Sequence, residues 1–536
     1  MSKVQDLSDK EYDYIIYSAA DHYGGLDAHG TTQMFKYMKN DLGLSCALLL
    51  TQERMFDLED SYLISDFLDH NCSCVLTFRE MNNTKRMLEI FNETIERFDL
   101  NVDFSHENLQ KYRDFYGEDE FNKILTYIDM ENINKDPFPN APHINASFHI
   151  KEMVYYENAV KRLPKHKAVI YPSKYDGGGG LYSFIDISQR FHDAKIIYYC
   201  MVHNAYTGAC SYPKWNNCEK YKYKEGCYNC IFQANHNKQQ ILDFIKKGKV
   251  LNQPYYMGMF NQPSVFDQMR KISEKYSDKM LYLASSQFSF DQAKESYLFK
   301  NAEVKMARLK TLKADRNRIS NVIQEKSRLK EKFVQESGLY EEYCRHVGIS
   351  AEDLNIIFWS CMDAKQERKG IKEFVDICNL LAKKVNEHDL KKYVIVFGGD
   401  TNALGDYLGV GAFPSTLAFM TTGITTNEKS LEIFGASDLY CCTTLEDGGP
   451  RTVSESLYAG TPVISFDRCI AKDILNGKNG YCIETPNTRD FSDSIIEYFE
   501  KSKQERKQMY VDSITSFVDF YDEEKMKDQW IEALEL

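Results

Sequence analysis

Apolar residues in this chain fall into short unbroken runs separated by longer stretches of helical period. The runs at 13–19, 45–50, 168–172, 195–201, 280–285, 355–360, 393–397, 438–442 and 463–466 read as strands. Helical patterns occupy 30–40, 181–191, 371–384, 429–435 and 450–459 between them. Strand, loop and helix in this alternation predict an α/β chain with doubly wound sheets. Residues 55–151 break the pattern: they are charged, Asn-rich and poorly periodic, with a strand candidate at 74–78 and helical stretches at 83–97 and 107–130.

The unit at 438–466 is the most informative. A buried strand ends in Leu445, Glu446, Asp447, Gly448 and Gly449, and Pro450 then suits a first helical position, where its missing N–H costs nothing. Gly460 supplies the stop, and a second strand follows. In a doubly wound sheet, ligands sit beyond the carboxyl ends of the strands, so the segment from Gly448 through Arg451 to Thr452 is placed at a ligand. Its glycines permit close approach, and the free N–H groups of the first turn attract an anion such as a diphosphate. Asp447 and Glu455 bracket this site with seven residues between them. They read either as ligand-binding carboxylates, or as an N-terminal capping acid and an i,i+4 partner of Arg451.

Two further loops carry candidate chemistry. Gly24 and Gly25 stand where the chain leaves the first strand, as a tight turn or a phosphate-facing loop. Arg368 and Lys369 stand just before the helix at 371–384, and two adjacent cations there suit a diphosphate opposite the turn at Pro450. The run Gly177 to Gly180 is read as a flexible surface loop or an opening toward a bulky acceptor.

Composition narrows the class. The 536 residues suffice for two or three domains, and 43% hydrophobic with 13% aromatic residues fill large cores. A net charge of −13 argues against nonspecific nucleic-acid binding, which needs clustered Lys and Arg. No run is long and apolar enough for a membrane span, and the polar, acidic start shows no secretory signal, so a cytoplasmic protein is expected. The fifteen cysteines do not form a secreted disulfide framework. Cys210, Cys218, Cys227 and Cys230 end in a C-x2-C knuckle whose spacing is compatible with one structural four-thiolate zinc site, or with reduced thiols or disulfides. Residues 305–332 carry ten Lys or Arg against three acids, with Ile319, Val322, Ile323 and Leu329 near one helical face. That pattern reads as an interdomain connector, or as a basic amphipathic helix touching the inner face of a membrane peripherally.

The stretch D-G-G-P-R-T-V-S-E-S-L-Y-A-G-T-P-V-I resembles the Glu-x7-Glu donor motif of retaining glycosyltransferases of family 4, with Asp447 in place of the first Glu. Glu446 ahead of Asp447 makes it similar to the exopolysaccharide, colanic-acid-type subgroup. The stretch from His203 through Thr207, Gly208 and Cys210 to Cys227 and Cys230 is similar to another signature of that subgroup, with Asn204 where an Asp is usual. Gly24 and Gly25 resemble its N-terminal G-G loop. Lys369-Gly370 matches its K-G, whereas Ser360-Cys361 stand in place of G-R, leaving Arg368 to substitute.

The resemblance implies the GT-B fold: two Rossmann-like domains facing a cleft, with a terminal helix crossing back onto the first. It places an acceptor-side domain at 1–312, with an insert about 51–158 and the Cys-rich loop 203–230. A nucleotide-sugar domain follows at 313–509, with the crossover helix at 510–536. It implies transfer of a sugar, with retention, from a nucleotide-sugar donor to a glycan or lipid-linked acceptor in surface polysaccharide or glycoconjugate biosynthesis. Asp447 would contact the sugar, Glu455 the ribose, His203 a sugar hydroxyl, and Arg368 and Lys369 the phosphates, with no catalytic cofactor. A sugar-nucleotide epimerase, a phosphorylase and a catalytically silent nucleotide-sugar-binding partner subunit are the competing functions.

Overall fold

The computed structural model describes residues 11–19, 33–51, 62–68, 71–74, 163–172, 185, 188–189, 191–200, 204–207, 218–226, 262–309, 312–361, 364, 366–400, 405, 407–408, 412–449 and 451–536. They divide into two compact units. One holds the described residues up to 284 and 291–305; the other holds 285–290 and those from 306 onward.

The first unit is built on an eight-stranded sheet. Its strands are β1 (Glu11–Ala19), β2 (Cys46–Thr51), β3 (Tyr62–Leu68), β4 (Asn71–Cys74), β5 (Lys165–Pro172), β6 (Lys195–Tyr199), β7 (Met280–Ala284) and β8 (Glu303–Met306), in the order β4-β3-β2-β1-β5-β6-β7-β8. β2, β1, β5, β6 and β7 run parallel, whereas β3 and β4 pair antiparallel at one edge. Strands buried on both faces need continuous apolar runs, and Ile15, Ile16, Val169, Ile170, Ile196, Ile197, Leu281 and Leu283 are all buried. The hairpin of β3 and β4 is a departure from the sequence reading, which found no strand between 55 and 74. The predicted helices at 83–97 and 107–130, the remainder of the 74–78 strand, and the glycine run 177–180 lie outside the described residues.

The second unit carries a six-stranded parallel sheet in the order β11-β10-β9-β12-β13-β14. Its strands are β9 (Asn355–Ser360), β10 (Tyr393–Gly398), β11 (Ala418–Gly423), β12 (Leu439–Cys442), β13 (Val463–Phe466) and β14 (Gly480–Ile483). The helices used below are α1 (Val322–Glu336), α2 (Ile371–Lys384), α3 (Asn427–Ala436), α4 (Arg451–Tyr458), α5 (Thr488–Glu500), α6 (Lys503–Phe520) and α7 (Glu523–Leu534). α2 repeats buried apolar residues at helical spacing, Ile371, Phe374, Val375, Cys378 and Leu381, and packs them on the sheet. Phe374 stacks on Trp359 of β9 at 5.9 Å, and the Trp359 Nε1–H donates to Thr443 Oγ1 at 2.9 Å. The pairing ties β9 to the segment leaving β12. In the C-terminal helices, the Trp530 Nε1–H donates to the Arg308 carbonyl at 2.7 Å, and the Phe517 ring lies 5.3 Å from Tyr458 of α4.

The helix expected over 305–332 is shorter and lies later. β8 occupies the start of that range, and Asp315 caps a short 3₁₀ helix at Arg316–Asn321 by accepting the Asn317 N–H at 3.0 Å. α1 then runs to Glu336, and several of its cations face inward. Lys330 pairs with Asp438 at 2.8 Å, and Lys332 pairs with Glu432 at 2.9 Å. Lys326 is buried and donates to the Gly435 and Ser437 carbonyls at 3.0 and 2.7 Å and to Thr461 Oγ1 at 2.5 Å. It thereby pins the end of α3 to the turn after α4.

Burial pulls the Lys326 ammonium down to about 7 from 10.5, with Asp438 opposing the shift. Between those values the unfolded chain binds more protons than the folded one, so this lysine makes folding more favourable as pH rises. The stability advantage of wild type over Lys326→Met should therefore grow from pH 7 to pH 9.5, read by urea denaturation of both proteins. An advantage that shrinks over that window would overturn this account of the lysine.

Candidate functional site

The site is built where two strands end side by side. β9 leads to a single turn at Glu367–Lys369, and α2 begins at once after Gly370. Gly370 has φ 73°, and a Cβ there would lie 1.9 Å from the Thr443 carbonyl oxygen. Only glycine allows the approach. The Thr443 hydroxyl donates to the Gly370 carbonyl at 2.7 Å, and the Leu445 N–H donates to the Arg368 carbonyl at 2.8 Å. These bonds join the 367–370 turn to the 443–449 loop that follows β12.

The join brings two cations onto one carboxylate. Arg368 Nη1 donates to Asp447 Oδ2 at 3.0 Å and to the Glu446 carbonyl at 3.1 Å, while Nη2 donates to Gln366 Oε1 at 2.6 Å. Lys369 Nζ reaches the same Asp447 Oδ2. The other oxygen, Oδ1, accepts the Gly449 N–H at 3.3 Å, a local bond typical of Asp in turns. Burial alone would raise the Asp447 pKa, but the charges of Lys369 and Arg368 outweigh it and hold the carboxyl well below the usual carboxylate range. Asp447 is therefore ionised across the physiological range.

Cys469 holds this loop from the far side. It lies in the bend after β13 with φ 54°, its thiol donates to the Asp447 carbonyl, and the Asp447 N–H points at its sulfur from 3.2 Å. Burial and the nearby Asp447 push the thiol well above its ordinary range, so it serves as a neutral partner. Sequence reasoning passed over Cys469, because nothing in its neighbourhood marks it as facing a loop 22 residues away.

α4 follows the loop. Glu455 pairs with Arg451 one turn earlier at 2.9 Å, and both side chains are largely buried. Burial raises the Glu455 pKa, with Arg451 opposing it. Ser454 shares a 2.8 Å hydrogen bond with the Tyr521 hydroxyl, which ties the helix to the residue just after α6. Arg368, Lys369, Asp447, Gly448, Gly449, Arg451, Thr452 and Glu455 thus lie on adjoining segments at the carboxyl end of the second sheet, where doubly wound folds hold ligands. Gly24, Gly25, His203, Cys210, Cys227, Cys230 and Pro450 lie outside the described residues, and Cys218 is partly buried.

Residues 360–512 match the family model described as glycosyl transferases group 1. The matched segment runs from the end of β9 into α6 and contains every site residue just described from the second unit. Each unit is an α/β fold, with a mixed eight-stranded sheet in the first and a parallel six-stranded sheet in the second. A curated relative, the UDP-N-acetylglucosamine--peptide N-acetylglucosaminyltransferase GtfA subunit of Streptococcus parasanguinis, is 32% identical over 113 residues. That match covers 19% of this chain and 22% of the relative, so it spans only about a fifth of that protein's length. Solved structures similar to this chain include a glycosyltransferase from Rickettsia africae ESF-5, 12% identical, covering 98% of each chain at a TM-score of 0.47. Another is the E. coli trehalose-6-phosphate structure bound with UDP-2-fluoro glucose, 12% identical, covering 98% of this chain and 99% of that one at a TM-score of 0.49. Among the described residues no group of three or more His, Cys, Asp or Glu could hold a metal ion, and no helix is long and apolar enough to cross a membrane.

Proposed function

We propose that this chain is a nucleotide-sugar-dependent glycosyltransferase that works with retention at the anomeric carbon and passes its sugar to a glycan or lipid-linked acceptor. The observation that carries the reading is the convergence of Arg368 and Lys369 on the loop of Asp447, Gly448 and Gly449, inside the segment that matches the glycosyl transferases group 1 family. Glycosyl transfer from a nucleotide sugar releases a nucleoside diphosphate, and charge develops on its departing oxygen. Two fixed cations and the amides of a glycine loop stabilise that charge in place.

In this reading Glu455 takes the ribose hydroxyls, Asp447 takes a hydroxyl of the transferred sugar, and Gly448, Gly449, Pro450, Arg451 and Thr452 line the donor. Gly24, Gly25 and His203 serve the same reaction from the first unit, which takes the acceptor. The acceptor face attacks on the side the diphosphate leaves, so no protein nucleophile is needed. Cys210, Cys218, Cys227 and Cys230 hold a structural zinc ion, proposed on spacing alone. Elemental analysis should find close to one zinc per chain; protein purified without chelator and free of zinc would leave only thiols there. Synthesis of a surface polysaccharide or glycoconjugate, at the cytoplasmic face of a membrane, is the setting that fits such an activity.

Lys369→Ala tests the anion site directly. A charge-assisted contact contributes about 1.5 to 3 kcal/mol, so nucleoside diphosphate affinity should fall by about tenfold or more. Calorimetry that finds unchanged affinity would remove Lys369 from the site.

A further inference from the structure

We infer that Asp447 is the internal counterion with which any diphosphate must compete for Arg368 and Lys369, and that this competition sets the preference of the site for a whole nucleotide sugar over a bare diphosphate. The inference rests on the reading of Arg368 and Lys369 as the diphosphate contacts, and it adds a specificity role that the reading does not contain.

The geometry assigns the moving part. Both cations reach a single carboxylate oxygen, Asp447 Oδ2. Arg368 is buried and its guanidinium is held a second and third time, by the Glu446 carbonyl and Gln366 Oε1, at 3.1 and 2.6 Å. It cannot turn toward another anion without giving up those bonds. The Asp447 backbone is likewise fixed, by Cys469 on one side and by the Leu445 to Arg368 bond close before it. Among the described residues, the Asp447 carboxylate has only a 3.3 Å contact with Gly449 besides the two cations. Its side chain can turn without breaking the bonds that hold Arg368 and the loop backbone.

A diphosphate gains the two cations only by taking them from this carboxylate, and an ionised carboxylate left without donors in a largely buried place is costly. A sugar attached to the diphosphate changes the outcome, because its hydroxyls donate to the displaced carboxylate and replace what was lost. A bare diphosphate brings no such donors. The carboxylate therefore opposes retention of the product more than binding of the donor, which favours product release after transfer.

The test is calorimetry on the full-length chain with inorganic pyrophosphate and with UDP as probes. Asp447→Asn keeps the size of the side chain and removes the competing charge, and it should bind both probes about tenfold more tightly than wild type, 1.4 kcal/mol by the usual conversion. Asp447→Ser, whose hydroxyl leaves the cations free in a smaller side chain, should show the same direction if Asp447→Asn folds poorly. Adding Asp447→Asn to Lys369→Ala should gain clearly less, because one of the two released cations is gone. Equal or weaker pyrophosphate binding in both Asp447 variants, each with a wild-type circular dichroism spectrum, overturns the inference. Probe binding that Lys369→Ala leaves unchanged overturns instead the diphosphate reading beneath it.

Discussion

Asp447→Asn and Glu455→Gln should each lower sugar transfer by about 10² to 10³-fold, the first by removing a charged contact to the transferred sugar and the second by misplacing the nucleotide that carries it. Neither change should unfold the chain. Asn retains an oxygen that can accept the Gly449 N–H, and Gln retains an acceptor for Arg451 at the same reach. The two variants should part company in binding. Glu455→Gln should weaken even a bare nucleoside diphosphate, since ribose hydroxyls lose a charged acceptor. Asp447→Asn should weaken the intact nucleotide sugar relative to the bare diphosphate, because the sugar alone gains from that carboxylate. The Arg451 pair at 2.9 Å and the two cations on Asp447 are compatible with purely structural duties for both acids. Near-normal turnover by both variants would assign them those duties and remove them from catalysis.

Gly370→Ala should be a strongly disruptive small substitution at the site. The residue has φ 73°, costly for any L side chain, and its new Cβ would meet the Thr443 carbonyl oxygen at 1.9 Å. Backbone must move, and the movement separates the 367–370 turn from the 443–449 loop that it holds. Gly348 provides the control, since it has nearly the same φ, 76°, but nothing within 4 Å of its Cβ position. Gly348→Ala should cost about 1 to 2 kcal/mol from backbone strain alone. Gly370→Ala should cost about 3 kcal/mol or more and should also lose Lys369-dependent diphosphate binding. Equal melting temperatures and equal diphosphate affinities in the two variants would show that the turn and the loop are not coupled through this contact.

The central strands of the second unit were legible because each is buried on both faces and so must be a continuous apolar run. β9 and β13 fall on the residues that pattern marks, and α2 was legible from its apolar stripe. The edges were not. β11 alternates partly buried and exposed residues, and β14 exposes one of its four, so neither carries a run to detect. β3 falls in the charged stretch from 55 onward, and its place in the sheet comes from its antiparallel pairing with β2. Within the site, the local pattern marked Arg368, Lys369, Asp447 and Glu455 as separate candidates. It could not show that Arg368 and Asp447, 79 positions apart, form one ion pair, because that contact depends on β9 and β12 lying side by side. The inward lysines of α1 were hidden for a related reason. A basic run looks solvated until Asp438, Glu432 and the end of α3 are placed against it.

Release of nucleoside diphosphate tests the central claim most directly. The full-length chain would be mixed with UDP- and GDP-sugars and candidate glycan or lipid-linked acceptors, and free diphosphate would be followed with time. The account predicts release that requires both a matching sugar and an acceptor, and that falls by about 10²-fold or more in Glu455→Gln. Tight binding of nucleotide sugars without any release, across all donors and acceptors, would contradict it and identify the chain as a binding partner.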